Sequence, residues 1–156
     1  MNDLTSKYWP VTRELELGHK LINAQMERIW CAKDVDAISD IYGDSAVIEG
    51  IVPDTELAMH DFREIAQQTN ELSDVLDWDF LDEFASGNRY FARLKLTMKL
   101  HCTDRVATFD SAVTFTLSET RVSHAYILSD ALSYLEQTGC APAGAPFICM
   151  AGGKLT

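Results

Sequence analysis

The chain has 156 residues, of which 47% are hydrophobic and 24% charged, which is enough for one globular domain with a substantial core. Its formal net charge of −11 repels phosphate backbones and anionic lipids. Because the sequence has no local basic patch, we expect neither nucleic acid nor membrane as a partner.

Targeting and redox signals favour a cytoplasmic protein. No apolar run is long enough to cross a bilayer, and the N-terminal residues lack the basic and apolar regions of a secretory signal. None of the four cysteines belongs to a CxxC pair, and Cys31 and Cys102 have apolar neighbours that suit reduced, packed thiols.

The first half of the chain has helical periodicity. It predicts helices over residues 15–33, 34–43 and 61–72, each with an apolar face. Between the second and third helices, residues 45–52 are rich in strand-forming side chains, and residues 56–59 are interpreted as a short partner strand.

The second half alternates with a period of two. Residues 75–85, 89–102, 106–117 and 122–129 each place apolar side chains on one face and polar ones on the other. Short turns separate them, so we expect an antiparallel meander with one dry and one wet face. A short helix follows, capped by Asp130 and ended by Gly139.

The predicted domain organisation is simple. Residues 1–12 form a lead-in in which Tyr8 and Trp9 can latch onto the body, and residues 13–139 form the only domain. The tail, residues 140–156, is rich in Gly, Pro and Ala. We expect it to be non-helical and to lie over the body or over a neighbouring subunit.

This order of elements resembles the nuclear transport factor 2-like superfamily. Residues 34–47 (DVDAISDIYGDSAV) are similar to its second-helix and first-strand signature. Residues 121–139 resemble the end of the SnoaL-like polyketide cyclase group, in which a strand leads to an Asp, an apolar helix, a Gln and a Gly; here these include Asp130, Gln137 and Gly139. The resemblance covers residues 13–139.

The resemblance implies an α+β cone, in which a curved antiparallel sheet wraps around the N-terminal helices and leaves a deep apolar pocket. Members of the superfamily include polyketide cyclases, ketosteroid isomerase, scytalone dehydratase, epoxide hydrolases and binding modules without catalytic activity. Their outer sheet face often forms dimers, so a homodimer is expected.

The sequence departs from two catalytic patterns of the superfamily. The Asp base of ketosteroid isomerase corresponds to Gly50, with Glu49 beside it, and the second acidic group falls near Ser111, so that chemistry is absent. The cyclases use an Asp with a nearby His, and the nearest candidates are Asp130 and His124.

Asp82 interrupts an apolar row that runs from Trp78 to Phe84. A carboxyl group desolvated there would have a raised pKa and could act as acid or base near neutral pH. Alternatively, the strand bulges or twists at this point and turns Asp82 to solvent or toward Arg89 or Arg93.

His124 shares the predicted face of the last strand with Tyr126, where it could transfer protons. Alternatively, His124 is a core residue satisfied by a backbone carbonyl, or Ala125 and Ile127 are the inward pair and His124 lies outside. Asp130 could act as acid or base at the pocket mouth, or serve only as the helix cap.

The sequence therefore predicts a cofactor-free acid/base enzyme, a cyclase, isomerase or dehydratase acting on a hydrophobic, polyketide- or steroid-like molecule. His124 with Asp82 or Asp130 would be the catalytic pair. The alternative is a non-catalytic ligand-binding or dimerisation module, or a domain whose pocket is filled by its own side chains.

The spacing of His101, Cys102 and Asp104 does not suit a metal site. The predicted substrate-binding residues are Tyr42, Trp78, Phe80, Leu96, Met98, Phe109, Ser111, Phe115 and Tyr126.

Overall fold

A computed structural model describes residues 10–155 of the protein, so the expected latch at Tyr8 and Trp9 lies outside the described residues. Within the described range, no helix is both long enough and apolar enough to span a bilayer. The helices are α1 (Arg13–Ala24) with a π-helical continuation (Gln25–Cys31), a 3-10 turn (Val35–Ala37), α2 (Ile38–Ile41), α3 (Met59–Leu72), α4 (Ala131–Thr138) and α5 (Ala145–Met150). The strands are β1 (Tyr42–Glu49), β2 (Ser73–Ser86), β3 (Arg89–Leu100), β4 (Arg105–Ser118) and β5 (Arg121–Ser129).

The five strands form one mixed sheet with the order β1-β5-β4-β3-β2. Strands β2 to β5 are the predicted antiparallel meander, and β1 pairs in parallel with β5. Helix α1 packs against β2, β3 and β4, and α3 packs against β1 and β2. The predicted α+β class is confirmed, and the core lies between the helices and one face of the sheet.

The N-terminal elements differ from the sequence expectation in their bounds. The second helix ends at Ile41 rather than at Gly43, because Tyr42 already has extended backbone angles and begins β1. The predicted partner strand at residues 56–59 is reduced to a single bridge between Leu57 and Ile48. As a result, fully buried Tyr42 sits where the helical layer meets the sheet.

Strand β2 contains two breaks in its pairing with β3, between Val75 and Asp77 and between Phe80 and Asp82. The two breaks leave Leu76 and Leu81 unpaired and exposed. After each break, the residues that would have faced inward face outward, and the reverse. Asp82 consequently pairs with Arg93 and is exposed. The expectation that Asp82 faces the core is therefore wrong, and the bulged alternative is the one observed.

Beyond the second bulge, Glu83 points inward in place of Asp82. Its Oε1 accepts a hydrogen bond of 2.5 Å from Tyr90 and lies 2.8 Å from His19 Nδ1 on α1. The side chains of His19 and Glu83 are each 13% exposed. Burial, followed by the neighbouring Glu83 carboxylate, raises the pKa of Tyr90. The cluster ties α1 to β2 and β3.

The C-terminal tail contains a helix, contrary to the expectation. Helix α5 begins after Gly144, which has the left-handed conformation, and has Pro146 in its first turn, where a missing N–H costs nothing. Its Phe147 and Met150 are 77% and 84% exposed.

The cysteines are also more exposed than their apolar neighbours suggested. All four are free and exposed. Cys31 lies at the end of the π-helical segment, and Cys102 lies in the turn between β3 and β4, so neither belongs to a buried face.

Gly18 allows α1 to approach the sheet closely. A Cβ atom at this position would overlap the ring of Tyr90, which is fully buried and cannot move aside. Gly43 in β1 is a contrasting case, because a Cβ there would lie 3.7 Å from the nearest atom, the carbonyl oxygen of Val122.

We predict that Gly18→Ala lowers the free energy of unfolding by about 1–3 kcal/mol, as overpacking does. In a helix with free space at this position, Gly→Ala would instead stabilise the helix by about 1 kcal/mol. The sign of the change in unfolding free energy therefore distinguishes the two cases. Gly43→Ala, the control, should change stability by less than about 0.5 kcal/mol. Urea unfolding of both variants measures this, and a stabilised Gly18→Ala would contradict the predicted overlap.

An ion-pair network joins the end of the π-helical segment to the start of β2. Lys33 Nζ donates to Asp74 Oδ1 at 2.6 Å and to the Asn70 carbonyl at 2.7 Å. His101 Nε2 lies 3.0 Å from Asp74 Oδ2. The hydrogen bond from Lys33, followed by that from His101, lowers the pKa of Asp74 below its usual 3.8.

The lowered pKa of Asp74 predicts a pH-dependent contribution to stability. A carboxyl group whose pKa is lower in the folded state stabilises the protein above its unfolded pKa and loses this effect as the pH falls through its folded pKa. Asp74→Asn should therefore be less stable than the wild type at about pH 6, and the difference should shrink toward about pH 2. Thermal unfolding across this range provides the measurement. Asp77→Asn on the same strand is the control, and an Asp74 effect that grows as the pH falls would contradict the assignment.

Candidate functional site

A cavity of about 430 Å³ lies between the helical layer and the inner face of the sheet, where α4 crosses one end. Apolar side chains dominate its wall, and no Asp, Glu, His, Lys or Arg side chain of residues 10–155 contributes to it. Hydroxyl, amide and indole groups are its polar components. The wall consists of Gln25, Met26, Trp30, Ile51, Thr69, Leu72, Ser73, Val75, Leu96, Met98, Leu100, Phe109, Ser111, Val113, Ile127, Ser129, Ala131 and Tyr134.

The sheet side of the wall follows from unbroken pairing between β3 and β4. The two strands pair in a continuous register, so alternate residues stay on one face along their length. Leu96 pairs with Phe109, and Met98 with Ala107, all on the inner side. This register carries the predicted wall residues Leu96, Met98, Phe109 and Ser111 into the cavity wall.

The helical side of the wall depends on the π-helical segment that continues α1. Its wider turns add a residue relative to an α-helix, as the hydrogen bond from Ala32 N to Glu27 O shows. Gln25 and Met26 are buried in this segment, and together with Trp30 they line the cavity. Such π-helical turns occur frequently at functional sites.

Gln25 supplies the side-chain amide of the wall as given above, and the residue is 5% exposed. Tyr42 is fully buried, and its hydroxyl donates to Gln25 Oε1 over 2.5 Å. Burial raises the pKa of Tyr42, so the hydroxyl keeps its proton. Gln25 Nε2 has no hydrogen-bond partner within residues 10–155. The amide is therefore anchored at its oxygen and unpaired at its nitrogen.

A second polar point lies at the junction of β4 and β5. Ser111 and Ser129 are register partners, and their hydroxyl oxygens are 2.9 Å apart. Ser111 is 3% exposed, whereas Ser129 at the strand end is exposed. One hydroxyl donates to the other, which leaves one proton for a further acceptor.

Helix α4 closes one end of the cavity. Asp130 caps it by accepting from Ser133 N at 3.0 Å, and the helix stops at left-handed Gly139, as predicted. The Gln137 side chain bonds to both the N–H and the carbonyl of Thr108, at 2.9 and 2.8 Å. Because β5 pairs with β4 only from Ser111 onward, the start of β4 has no strand on that side. The Gln137 bonds cover this exposed stretch, and Tyr134 packs edge-on against Phe109.

Four predicted binding residues of the inner side are absent from the cavity wall. Tyr42 stands behind Gln25, and Phe115 is buried in the core against Tyr42 and Tyr90. The other two belong to β2: Trp78 donates to Asn23, and Phe80 stacks on His19. These four side chains are therefore not part of the cavity wall.

His124 and Tyr126 point away from the cavity. The pairing of β4 with β5 breaks near Ser123, so the inward positions change from Val122 to Ala125 and Ile127. His124 Nε2 instead lies 2.5 Å from Glu49 Oε2 on the outer side, and Tyr126 is 46% exposed. The prediction that the His124 face lines the site is wrong, because it assumed an unbroken period of two.

The three predicted acid/base residues, His124, Asp82 and Asp130, are therefore absent from the cavity wall. Asp130 is exposed, and its carboxylate serves as the cap of α4. Within the described residues, no group of three or more His, Cys, Asp and Glu side chains is arranged to hold a metal ion. The chemistry available in the cavity is that of neutral donors and acceptors.

Sequence reasoning missed Gln25. The signal was present, because Gln25 lies three residues after Ile22 and four before Ile29 and so interrupts the apolar face of the first helix. Gln25 is a polar residue in the apolar face of a helix, as Asp82 is a polar residue in the apolar row of a strand. The contributions of Ile127 and Ser129 were hidden by the break in β5.

No protein-family model matches the chain, and a search of curated proteins finds no match. Solved structures do match. A proposed isomerase from Bacillus subtilis matches with a TM-score of 0.72 at 12% identity. The match covers 82% of this chain and 96% of the isomerase chain. An LEH-like epoxide hydrolase of M. tuberculosis has a TM-score of 0.64 at 10% identity, covering 90% and 99%.

A proposed polyketide cyclase from Streptomyces antibioticus has a TM-score of 0.65 at 16% identity, covering 78% of this chain and 97% of its own. The chain has the nuclear transport factor 2-like fold. The predicted α+β cone is thereby confirmed. At these identities the likeness concerns the fold, so the function has to be argued from the cavity.

We predict that His124→Ala and Asp82→Asn change the affinity of the cavity for an uncharged apolar fluorophore by less than about twofold. Both side chains lie outside the wall, so neither loses a contact with a bound molecule. Fluorescence titration measures the affinity, with circular dichroism to confirm folding. A loss of tenfold or more in a folded variant, about 1.4 kcal/mol, would place that side chain in contact with the ligand.

Proposed function

We propose that this cavity binds an uncharged, largely apolar small molecule. The observation that carries the proposal is the cavity of about 430 Å³, whose wall is mostly apolar and contains no charged side chain from residues 10–155. Such cavities are typical of small-molecule sites. An ionised ligand would lose its hydration there without gaining a charged partner.

The few polar groups of the wall narrow the ligand class. The Gln25 amide and the Ser111–Ser129 hydroxyl pair supply hydrogen bonds on the helical and the sheet side of the cavity. A ring system with a small number of carbonyl or hydroxyl oxygens would satisfy both. Polyketide- and steroid-like molecules have this character.

Conversion of the bound molecule is a second candidate function. It is supported by the fold shared with proteins described as an epoxide hydrolase, a proposed isomerase and a proposed polyketide cyclase. Within residues 10–155 the wall lacks an ionisable acid/base pair, so fixed neutral donors would stabilise the developing oxyanion while solvent water accepts and returns the proton. Cofactor-free cyclisation, isomerisation and dehydration remain the reactions that we propose for it.

Binding is tested with prodan, an uncharged fluorescent ketone whose emission shifts to the blue in an apolar site. We expect saturable binding by the wild type and a loss of about tenfold or more for Met98→Trp, which would fill the cavity. Thr97→Trp introduces the same ring on the opposite face of β3, where Thr97 bonds to Thr108, and should bind normally. Equal binding by both variants would place the probe elsewhere.

Conversion is tested with a β,γ-unsaturated cyclic ketone, because isomerisation to the conjugated enone increases ultraviolet absorbance. A rate above that of buffer, lowered by Gln25→Met and unchanged by His124→Ala, would support conversion by cavity groups. If the rate falls only in His124→Ala, the outer-face histidine is responsible and the neutral-donor account is wrong.

A further inference from the structure

We propose that Tyr42 is a positioning residue that fixes the Gln25 amide with its N–H groups toward the cavity, so that the site selects ligands with a carbonyl acceptor. The inference rests on the proposed function, since it concerns a ligand of the same cavity. It goes further by naming the ligand group that the site recognises and the two side chains responsible.

The first step is that Gln25 presents an unpaired donor. The residue is 5% exposed, and Nε2 has no partner within residues 10–155. Nε2 is also not sealed among protein atoms, since the buried side-chain atom without a partner in the described range is Glu136 Oε1. Because Gln25 lines the cavity, the open side of its nitrogen faces that space.

The second step is the orientation of the amide. The Tyr42 hydroxyl is fully buried, and Gln25 Oε1 is the acceptor that it reaches within the described residues. A reversed amide would make the hydroxyl accept from Nε2 and would leave the phenolic proton unsatisfied in the core, which is costly. Tyr42 therefore holds the amide oxygen, and the nitrogen is directed to the ligand.

The third step is rigidity. The Tyr42 ring packs edge-on against Phe62 and Phe115, with centroid distances of 5.5 and 6.1 Å. Gln25 itself is held in the π-helical segment. A donor fixed before binding loses little conformational freedom when the ligand arrives, so more of the hydrogen bond contributes to affinity.

These steps define a chemical preference. Ketone, ester and quinone oxygens accept hydrogen bonds and carry no charge, so each can pair with Nε2. A hydrocarbon of the same shape leaves Nε2 unpaired, and an ammonium group offers another donor where an acceptor is needed. Relative to the hydrocarbon, the ketone should gain about fivefold in affinity from this one contact.

The test compares acetylnaphthalene with ethylnaphthalene, which share a ring system and differ by one carbonyl oxygen. Affinities come from displacement of prodan, and the measured quantity is the ketone-to-hydrocarbon affinity ratio. We expect Tyr42→Phe and Gln25→Met each to lower this ratio about fivefold while leaving the ethylnaphthalene affinity nearly unchanged. Tyr90→Phe is the matched control, because this fully buried hydroxyl bonds to Glu83, outside the cavity wall.

A double-mutant cycle separates positioning from a general structural effect. If Tyr42 acts through Gln25, adding Tyr42→Phe to Gln25→Met should not change the ratio further. Additive effects would overturn the positioning role. Because Gln25→Met can be tested without Tyr42→Phe, the donor assignment remains testable even if the tyrosine variant does not fold.

The remaining outcomes separate this inference from the proposed function. If both naphthalenes bind and neither variant alters the ratio, the inference fails and the cavity remains a binding site. If Trp30→Phe lowers the ratio and Gln25→Met does not, the indole is the donor and the inference is wrong. If neither naphthalene nor prodan binds to the wild type, the proposed function itself fails.

Discussion

The arrangement of the whole site depends on where the sheet pairing is broken. A single unpaired residue reverses the faces of every residue beyond it, and the protein has such breaks in β2 and β5 but none between β3 and β4. The break after Phe80 exchanges Asp82 for Glu83 on the inner face. The break near Ser123 places Ala125 and Ile127 inside and His124 outside. The break in β5 thereby keeps His124 out of the cavity wall, whereas the break after Phe80 only exchanges one carboxylate for another.

These breaks also explain what could be predicted from the sequence. Periodicity was sufficient for the order of helices and strands, whose resemblance to a known superfamily implied the α+β cone. It was also sufficient for the wall residues Leu96 and Met98, because β3 and β4 pair without interruption. It failed for Asp82 and His124, since a bulge is decided by how a strand matches its neighbour and not by its own pattern. The helix at the C-terminus was missed for a different reason, because its Gly, Pro and Ala content suggested a loop while Gly144 and Pro146 form a helix start.

Polar groups of two kinds, charged and neutral, lie in different regions of the inner face of the sheet. Glu83 is inward and acidic, but it is bound by both Tyr90 and His19, so its charge is used in holding α1 to the sheet. The cavity wall instead has neutral amide and hydroxyl groups. Because a buried charge is costly unless it is paired, this division lets the cavity remain open and apolar while the ionic contacts stabilise the surrounding structure.

The unusual helix geometry has a physical explanation in the same terms. Helix α1 is fixed at its middle, where Gly18 and His19 contact Tyr90 and Glu83. Beyond Ala24 the chain changes to π-helical turns, and Gln25, the first residue of this segment, accepts the hydrogen bond from Tyr42. A π-helical segment is less favourable than an α-helix, so it persists because tertiary contacts stabilise it. The short hydrogen bond from fully buried Tyr42 is one such contact, and it connects the π-helical segment to the amide that lines the cavity.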